Sequence, residues 1–136
     1  MVREVRVCSC TNDIPNLLGA SGILQKMKRD LDKLIEFVGR HFVFDEQIYP
    51  ELKGANEEKR LAFAVRHSAL HFSKTAGKVA AVSEDVDHGG ELDIETVKEN
   101  IPKAIISTLK LAEIVGMKGD EIVNAIEKKY KNNIDE

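Results

Sequence analysis

His67 and His71 stand four residues apart, and Lys74 and Lys78 follow them at the same three- and four-residue steps. On a helix these side chains share one face, together with Asp85, because residues three and four apart are neighbours on a helix surface. Two imidazoles one turn apart have the spacing of a transition-metal chelate. The glutamate of a zincin motif is absent, and Glu84, Asp85, Asp87 and His88 lie too far along the helix to complete such a site. The expected role of both histidines is therefore packing or hydrogen bonding in a partly polar core, with no metal bound. The acidic group Glu84-Asp85-x-Asp87 has the oxygen chemistry for a divalent cation. A helix C-terminus disfavours clustered anions, so a solvated or salt-bridged end is expected there.

These residues belong to the stretch from Asn56 to His88, which reads as one long helix with three faces. Leu61, Val65, Ser68, Phe72, Thr75, Val79, Val82 and Val86 make a mainly apolar stripe suited to burial. Ala62, Ala69, Ser73, Ala76 and Ala80 make a face of small side chains that lets another helix approach closely. The third face carries His67, His71, Lys74, Lys78 and Asp85, with Thr75 at its edge. A helix with contact surface on several sides is expected to be central and to turn its polar groups towards a cleft. Asn56 is the expected N-cap, Glu57 and Glu58 complement the helix dipole, and Gly89-Gly90 ends the element.

Three further helices are expected around it. Leu24, Met27, Leu31, Leu34, Ile35 and Val38 recur with helical period from Ile23, and Phe42 and Ile48 can extend that stripe to Tyr49-Pro50. After Asp93, Pro102 predicts either a kink or a short helix around Ile94 to Glu99 followed by a longer one to Val115. There Ile101, Ala104, Ile105, Thr108, Leu109 and Ala112 are the expected buried side, while Asn100, Lys103, Ser107 and Lys110 recur on another. A last helix, about Asp120 to Asn132, is expected to bury Ile122, Ala125 and Ile126. Residues 1–22 read as an irregular or strand-like arm and turn before a bundle at 23–133. The fold class is all-α, a single-domain antiparallel four-helix bundle.

The composition suits that reading. A 136-residue chain with 43% hydrophobic and 32% charged residues has the size and balance of one globular domain. A net charge of −3 with interspersed signs excludes a long-range positive field for nucleic acid. The apolar runs are too short for a membrane span or a signal peptide, which makes a cytoplasmic location the expectation. Cys8 and Cys10, one residue apart, are expected to be reduced thiols. No nucleophile elbow, P-loop or dinucleotide fingerprint is present.

The segment HSALHFSKTAGKVAAVSEDVDHGGE, followed by ENIPKAIISTLKLAEIVGM and DEIVNAIEKKYKNN, resembles the MazG-like all-α nucleoside-triphosphate pyrophosphohydrolases. The resemblance spans roughly Phe63 to Asn133. It implies a helical bundle, a homodimer, and magnesium held by an E-x-x-E pair and an E-x-x-D pair on successive helices, cleaving between the α- and β-phosphates. Gly77 matches the glycine of the first motif and Leu111-Ala112 the Leu-Ala after the second. Lys128 or Lys129 with Asn132 or Asn133 resembles the C-terminal Lys and Asn that meet phosphate or base. The metal positions themselves fall on Thr75-x-x-Lys78 and Asn100-x-x-Lys103, where every acid is replaced.

That charge reversal suggests a different chemistry. Lys74, Lys78 and Lys103, with His67, His71 and Asn100, would supply the positive charge of the lost metal and receive a phosphate directly. The opposing expectation pairs these lysines with Glu84, Asp85 or Glu99. Three functions follow: a phosphorylated small molecule or nucleotide bound without efficient hydrolysis; a pyrophosphohydrolase with relocated magnesium ligands among Asp45, Glu46, Glu84 and Asp87; or a helical interaction protein without a small ligand. No cofactor is expected for the first and third, and magnesium only for the second.

Overall fold

The computed structural model describes residues 20–131, and the expectations for the N-terminal arm, for Cys8 and Cys10, and for Asn132 and Asn133 lie outside them. Four helices occur among the described residues: α1 (Ala20–His41), α2 (Glu57–Asp87), α3 (Ile94–Ile114) and α4 (Gly119–Lys131). A short 3-10 turn at Pro50–Leu52 precedes α2. The described chain is all-helical, and no described helix is long and apolar enough to cross a membrane.

Local chemistry accounts for the boundaries. The Asn56 side chain accepts the Lys59 N–H at 2.9 Å, and Asp93 accepts the Thr96 N–H at 3.0 Å and its hydroxyl at 2.7 Å. These bonds to Thr96, the backbone one foremost, hold the Asp93 carboxyl below its ordinary range. Gly89 and Gly116 follow α2 and α3 with φ of 86° and 71°, a left-handed geometry costly for any residue with a Cβ. Pro102 lies inside α3 without dividing it, so of the two expected outcomes, a kink or a split, the split does not occur. The proline removes the bond that residue 102 would donate to the Lys98 carbonyl, and its ring crowds that same carbonyl.

The first helix ends at His41, earlier than its apolar stripe suggests. The Asp45 side chain accepts the N–H groups of Gln47 and Ile48, both at 2.9 Å, which turns the chain instead of extending the helix. Arg60 then ties this connection to α2 by donating to the carbonyls of Leu52 and Ala55 and pairing with Glu46. As a result Phe42, Phe44 and Tyr49 fold back onto α2.

The inner elements are α1 and α3, not α2 as the three-faced pattern suggests. α3 packs against both α1 and α2, and α1 against both α3 and α4. Ile35 and Val38 from α1 form a core with Leu109 and Ala112 from α3, and Leu31, Phe42, Met117 and Ile122 close around it. On α4 the buried residues are Gly119 and Val123, while Ala125 and Ile126 are exposed. The Gly119 N–H donates to Asp32 Oδ1 at 2.7 Å, and a Cβ at Gly119 would run into the Lys28 carbonyl oxygen. That close approach sets which face of α4 meets α1.

A second correction concerns α3 itself. Ile101 and Ile105 are 51% and 50% exposed, while Asn100, Ser107 and Lys110 are buried beside Leu109 and Ala112. Periodicity groups residues onto faces correctly, but the polar face is the one that meets α2. Leu109 anchors the apolar core from the other side, so Leu109→Ala is expected to cost about 2–5 kcal/mol. Urea denaturation of the variant measures this directly.

Candidate functional site

The turn at 88–93 sends α3 back along α2, and the two helices meet through small polar side chains. Ser68 is fully buried, and Thr75, Asn100 and Ser107 are buried with it. Three of these groups satisfy a donor within their own helix. The Thr75 hydroxyl donates to the His71 carbonyl at 2.9 Å, Asn100 Nδ2 to the Thr96 carbonyl at 2.7 Å, and the Ser107 hydroxyl to the Lys103 carbonyl at 3.0 Å. Side chains this small keep the helix axes close, which brings the flanking long residues of both helices together.

On one side of that contact lies a cavity of about 370 Å³. His71, Lys74, Thr75 and Lys78 line it from α2, and Asn100, Lys103, Ile106 and Ser107 from α3, with Phe42 completing the wall. Five of the six residues expected to bind a ligand therefore meet at one place, and the sixth, His67, lies one helical turn from His71. No acid lines the cavity. Among the described residues Lys74, Lys78 and Lys103 make no ion pair within 4.0 Å, so the expected neutralisation by Glu84, Asp85 or Glu99 is not found. Each of these three lysine residues is exposed.

His67 sits beside the cavity in an aromatic cluster. Its ring stacks on Phe63 with centroids 5.3 Å apart and meets Phe44 and Tyr49 edge-on. The Tyr49 hydroxyl lies 3.0 Å from His67 Nε2, and His71 Nε2 lies 3.1 Å from the same atom. Burial, then the neighbouring charges of His71 and Arg66, lower the pKa of His67 from its ordinary value of 6.5. The shift favours the neutral ring.

Lys110 belongs to a different environment from Lys74, Lys78 and Lys103. It is buried, pairs with Glu113 at 2.7 Å and places its ammonium 5.5 Å from the Phe44 ring centre. Glu84 and Asp87 are exposed near the end of α2 and do not line the cavity. Asp45 turns the connection before α2, and Glu46 pairs with Arg60. The four acids considered as relocated magnesium ligands thus do not converge on this cavity. No group of three or more His, Cys, Asp or Glu among the described residues is placed to hold a metal ion.

Phe42 and Ile106 are the lining residues least visible in the sequence. Phe42 reads there as part of the first helix, and Ile106 carries no polar signal. Ser107 shares the period of Asn100 and Lys103, a signal that could have placed it at the site. No protein-family model matches the chain, and neither a curated protein nor a solved structure matches it.

His67 yields a pH dependence with a definite sign. The unfolded ring protonates near 6.5 and the folded ring only at lower pH, so the unfolded state binds more protons as the pH falls between these values. Stability from this group is fully present above about pH 6.5 and declines below it, until the folded pKa is passed. Melting temperatures recorded from about pH 7 to about pH 5 should show this loss, with a shallower slope in His67→Phe.

Proposed function

We propose that this chain is a divergent MazG-like protein whose α2–α3 cavity binds a nucleotide or another phosphorylated small molecule without efficient magnesium-dependent hydrolysis. One observation carries the reading: Lys74, Lys78 and Lys103 converge on a cavity with no acidic lining residue. Unpaired ammonium groups at such a place favour an anion with several oxygens, because each charge-assisted hydrogen bond contributes about 1.5–3 kcal/mol. Asn100, Thr75 and Ser107 add short polar groups, and Phe42 and Ile106 offer an apolar wall for a base or sugar.

The family assignment rests on the resemblance of the segment from Phe63 to Asn133, and the antiparallel pairing of α2 with α3 supports it. The positions matching the two metal motifs, Thr75 with Lys78 and Asn100 with Lys103, line one cavity. Lysine there replaces a metal cation by a fixed charge. Such a site holds phosphate but does not generate a metal-bound nucleophile. No observation favours the reading in which Glu84 and Asp87 hold magnesium.

The other side of the α2–α3 pair favours self-association. Leu61, Phe72 and Val86 of α2, with Ile94, Ile101 and Ile105 of α3, are each at least 40% exposed. Ala69, Ala76 and Ala80 are exposed beside them. Helical period puts these residues away from the lysines, so a homodimer covering them would leave the cavity open. A patch of this kind has the aliphatic content of a homodimer interface core.

A thermal-shift series with pyrophosphate and with nucleoside mono-, di- and triphosphates, each in EDTA and in magnesium, tests the ligand reading. A ligand at a hundredfold excess over its Kd should stabilise the chain by about 2.7 kcal/mol, and it should do so in EDTA. Lys78→Glu and Lys103→Glu should each abolish the shift. No shift with any phosphate in EDTA would overturn the reading. For the dimer, sedimentation should give twice the chain mass for the parent protein and a single chain mass for Ile101→Glu with unchanged helicity. A monomer at every concentration would contradict it.

A further inference from the structure

The facing nitrogens of His67 and His71 fix how many protons this pair can hold. His67 Nε2 and His71 Nε2 lie 3.1 Å apart, an ordinary hydrogen-bond distance. Two N–H groups cannot point at each other across that gap, so one nitrogen carries the proton and the other accepts it. The Tyr49 hydroxyl, 3.0 Å from the same His67 atom, turns to donate or to accept and so fits either arrangement. The surroundings of His67 choose between them. Its ring is half-buried against Phe63, Phe44 and Tyr49, and burial disfavours a charge there before His71 and Arg66 add their repulsion. His67 is therefore the acceptor, and His71 Nε2–H the donor. The one charge that the pair can carry belongs on His71, which is exposed and lines the cavity.

We propose that His71 is a proton-linked ligand of the anion bound between α2 and α3, and that His67 is the residue that positions it. The inference rests on the phosphate reading of this cavity and adds a proton to it. With His71 Nε2–H committed to His67, the ring atom left to change state is Nδ1. A lone pair there opposes an anion, whereas an N–H attracts it, so entry of a phosphate brings a proton onto His71. The other charged groups lining the cavity are Lys74 and Lys78 from α2 and Lys103 from α3. Arg66 and Glu51 act on His67, and Lys110, beside Phe44, is paired with Glu113. No carboxylate lines the cavity, so a bound anion supplies the negative charge that holds the imidazolium. The neutral acceptor at His67 strengthens the same state, because a hydrogen bond from a charged donor is the stronger kind. The contribution of His71 to phosphate affinity therefore rises as the pH falls from about 8 to about 6.

The ring C–H resonances of the four histidines report their protonation directly. The full chain is titrated by NMR from about pH 5 to about pH 8.5 in EDTA, with and without saturating pyrophosphate, and single histidine substitutions assign the signals. The midpoint of His71 should rise by about one pH unit when pyrophosphate is bound, while those of His41 and His88 stay where they are. His67→Phe keeps a ring to stack on Phe63 but offers no acceptor. Its complex should still saturate with pyrophosphate and should protonate His71 at lower pH than the parent complex. Saturable binding with the His71 midpoint moved by less than about 0.2 pH unit would overturn this inference and leave the phosphate reading standing. No saturable change in any protein signal would overturn both. A His71 midpoint in the His67→Phe complex equal to that of the parent would overturn the positioning role of His67.

Discussion

Everything at the proposed site depends on how closely α2 and α3 approach, and small polar residues set that distance. Ser68, Thr75, Asn100 and Ser107 occupy the contact where large apolar residues would hold the axes further apart. Thr75, Asn100 and Ser107 return their donors to carbonyls of their own helices, so the pairing gains no cross-helix hydrogen bond from them. Ser68 Oγ and Asn100 Oδ1 are buried without a partner among the described residues, at a cost of roughly 1–3 kcal/mol each. A contact of this composition contributes position more than stability.

The consequences differ on its two sides. Towards Phe42 the long cationic residues stand around a cavity without acids, and their mutual repulsion is an energetic cost that a bound anion would relieve. Phe72 and Val86 of α2 and Ile101 and Ile105 of α3 are exposed, and helical period turns them away from the cavity lysines. The apolar core of the described chain lies elsewhere, around Ile35, Val38, Leu109 and Ala112. α3 therefore serves two environments at once. Leu109 and Ala112 hold it to α1, while Asn100 and Ser107 place it against α2.

The sequence disclosed which residues share a face but not which face is covered. Asn56, Asp93, Gly89 and Gly116 mark helix ends because capping is local chemistry, and the structure uses them in those roles. His71, Lys74 and Lys78 were legible as one row for the same reason. The burial of Asn100 and Ser107 in place of Ile101 and Ile105 was not legible, since it depends on the partner helix and reverses the usual preference for apolar contact. Phe42 escaped because Asp45 turns the chain at a point where apolar period alone would continue the helix. The meeting of Nε2 atoms at His67 and His71 needed coordinates, although their spacing indicated it.

The central claim is that the cavity between α2 and α3 is an anion site that works without a divalent cation. Backbone amide chemical shifts measured during a pyrophosphate titration in EDTA test it residue by residue. The account predicts saturable shifts confined to the neighbourhood of Lys74, Lys78, Asn100 and Lys103 and absent in Lys78→Glu. Shifts centred on the exposed lysine run of α4, or no saturable shifts at all, would contradict it.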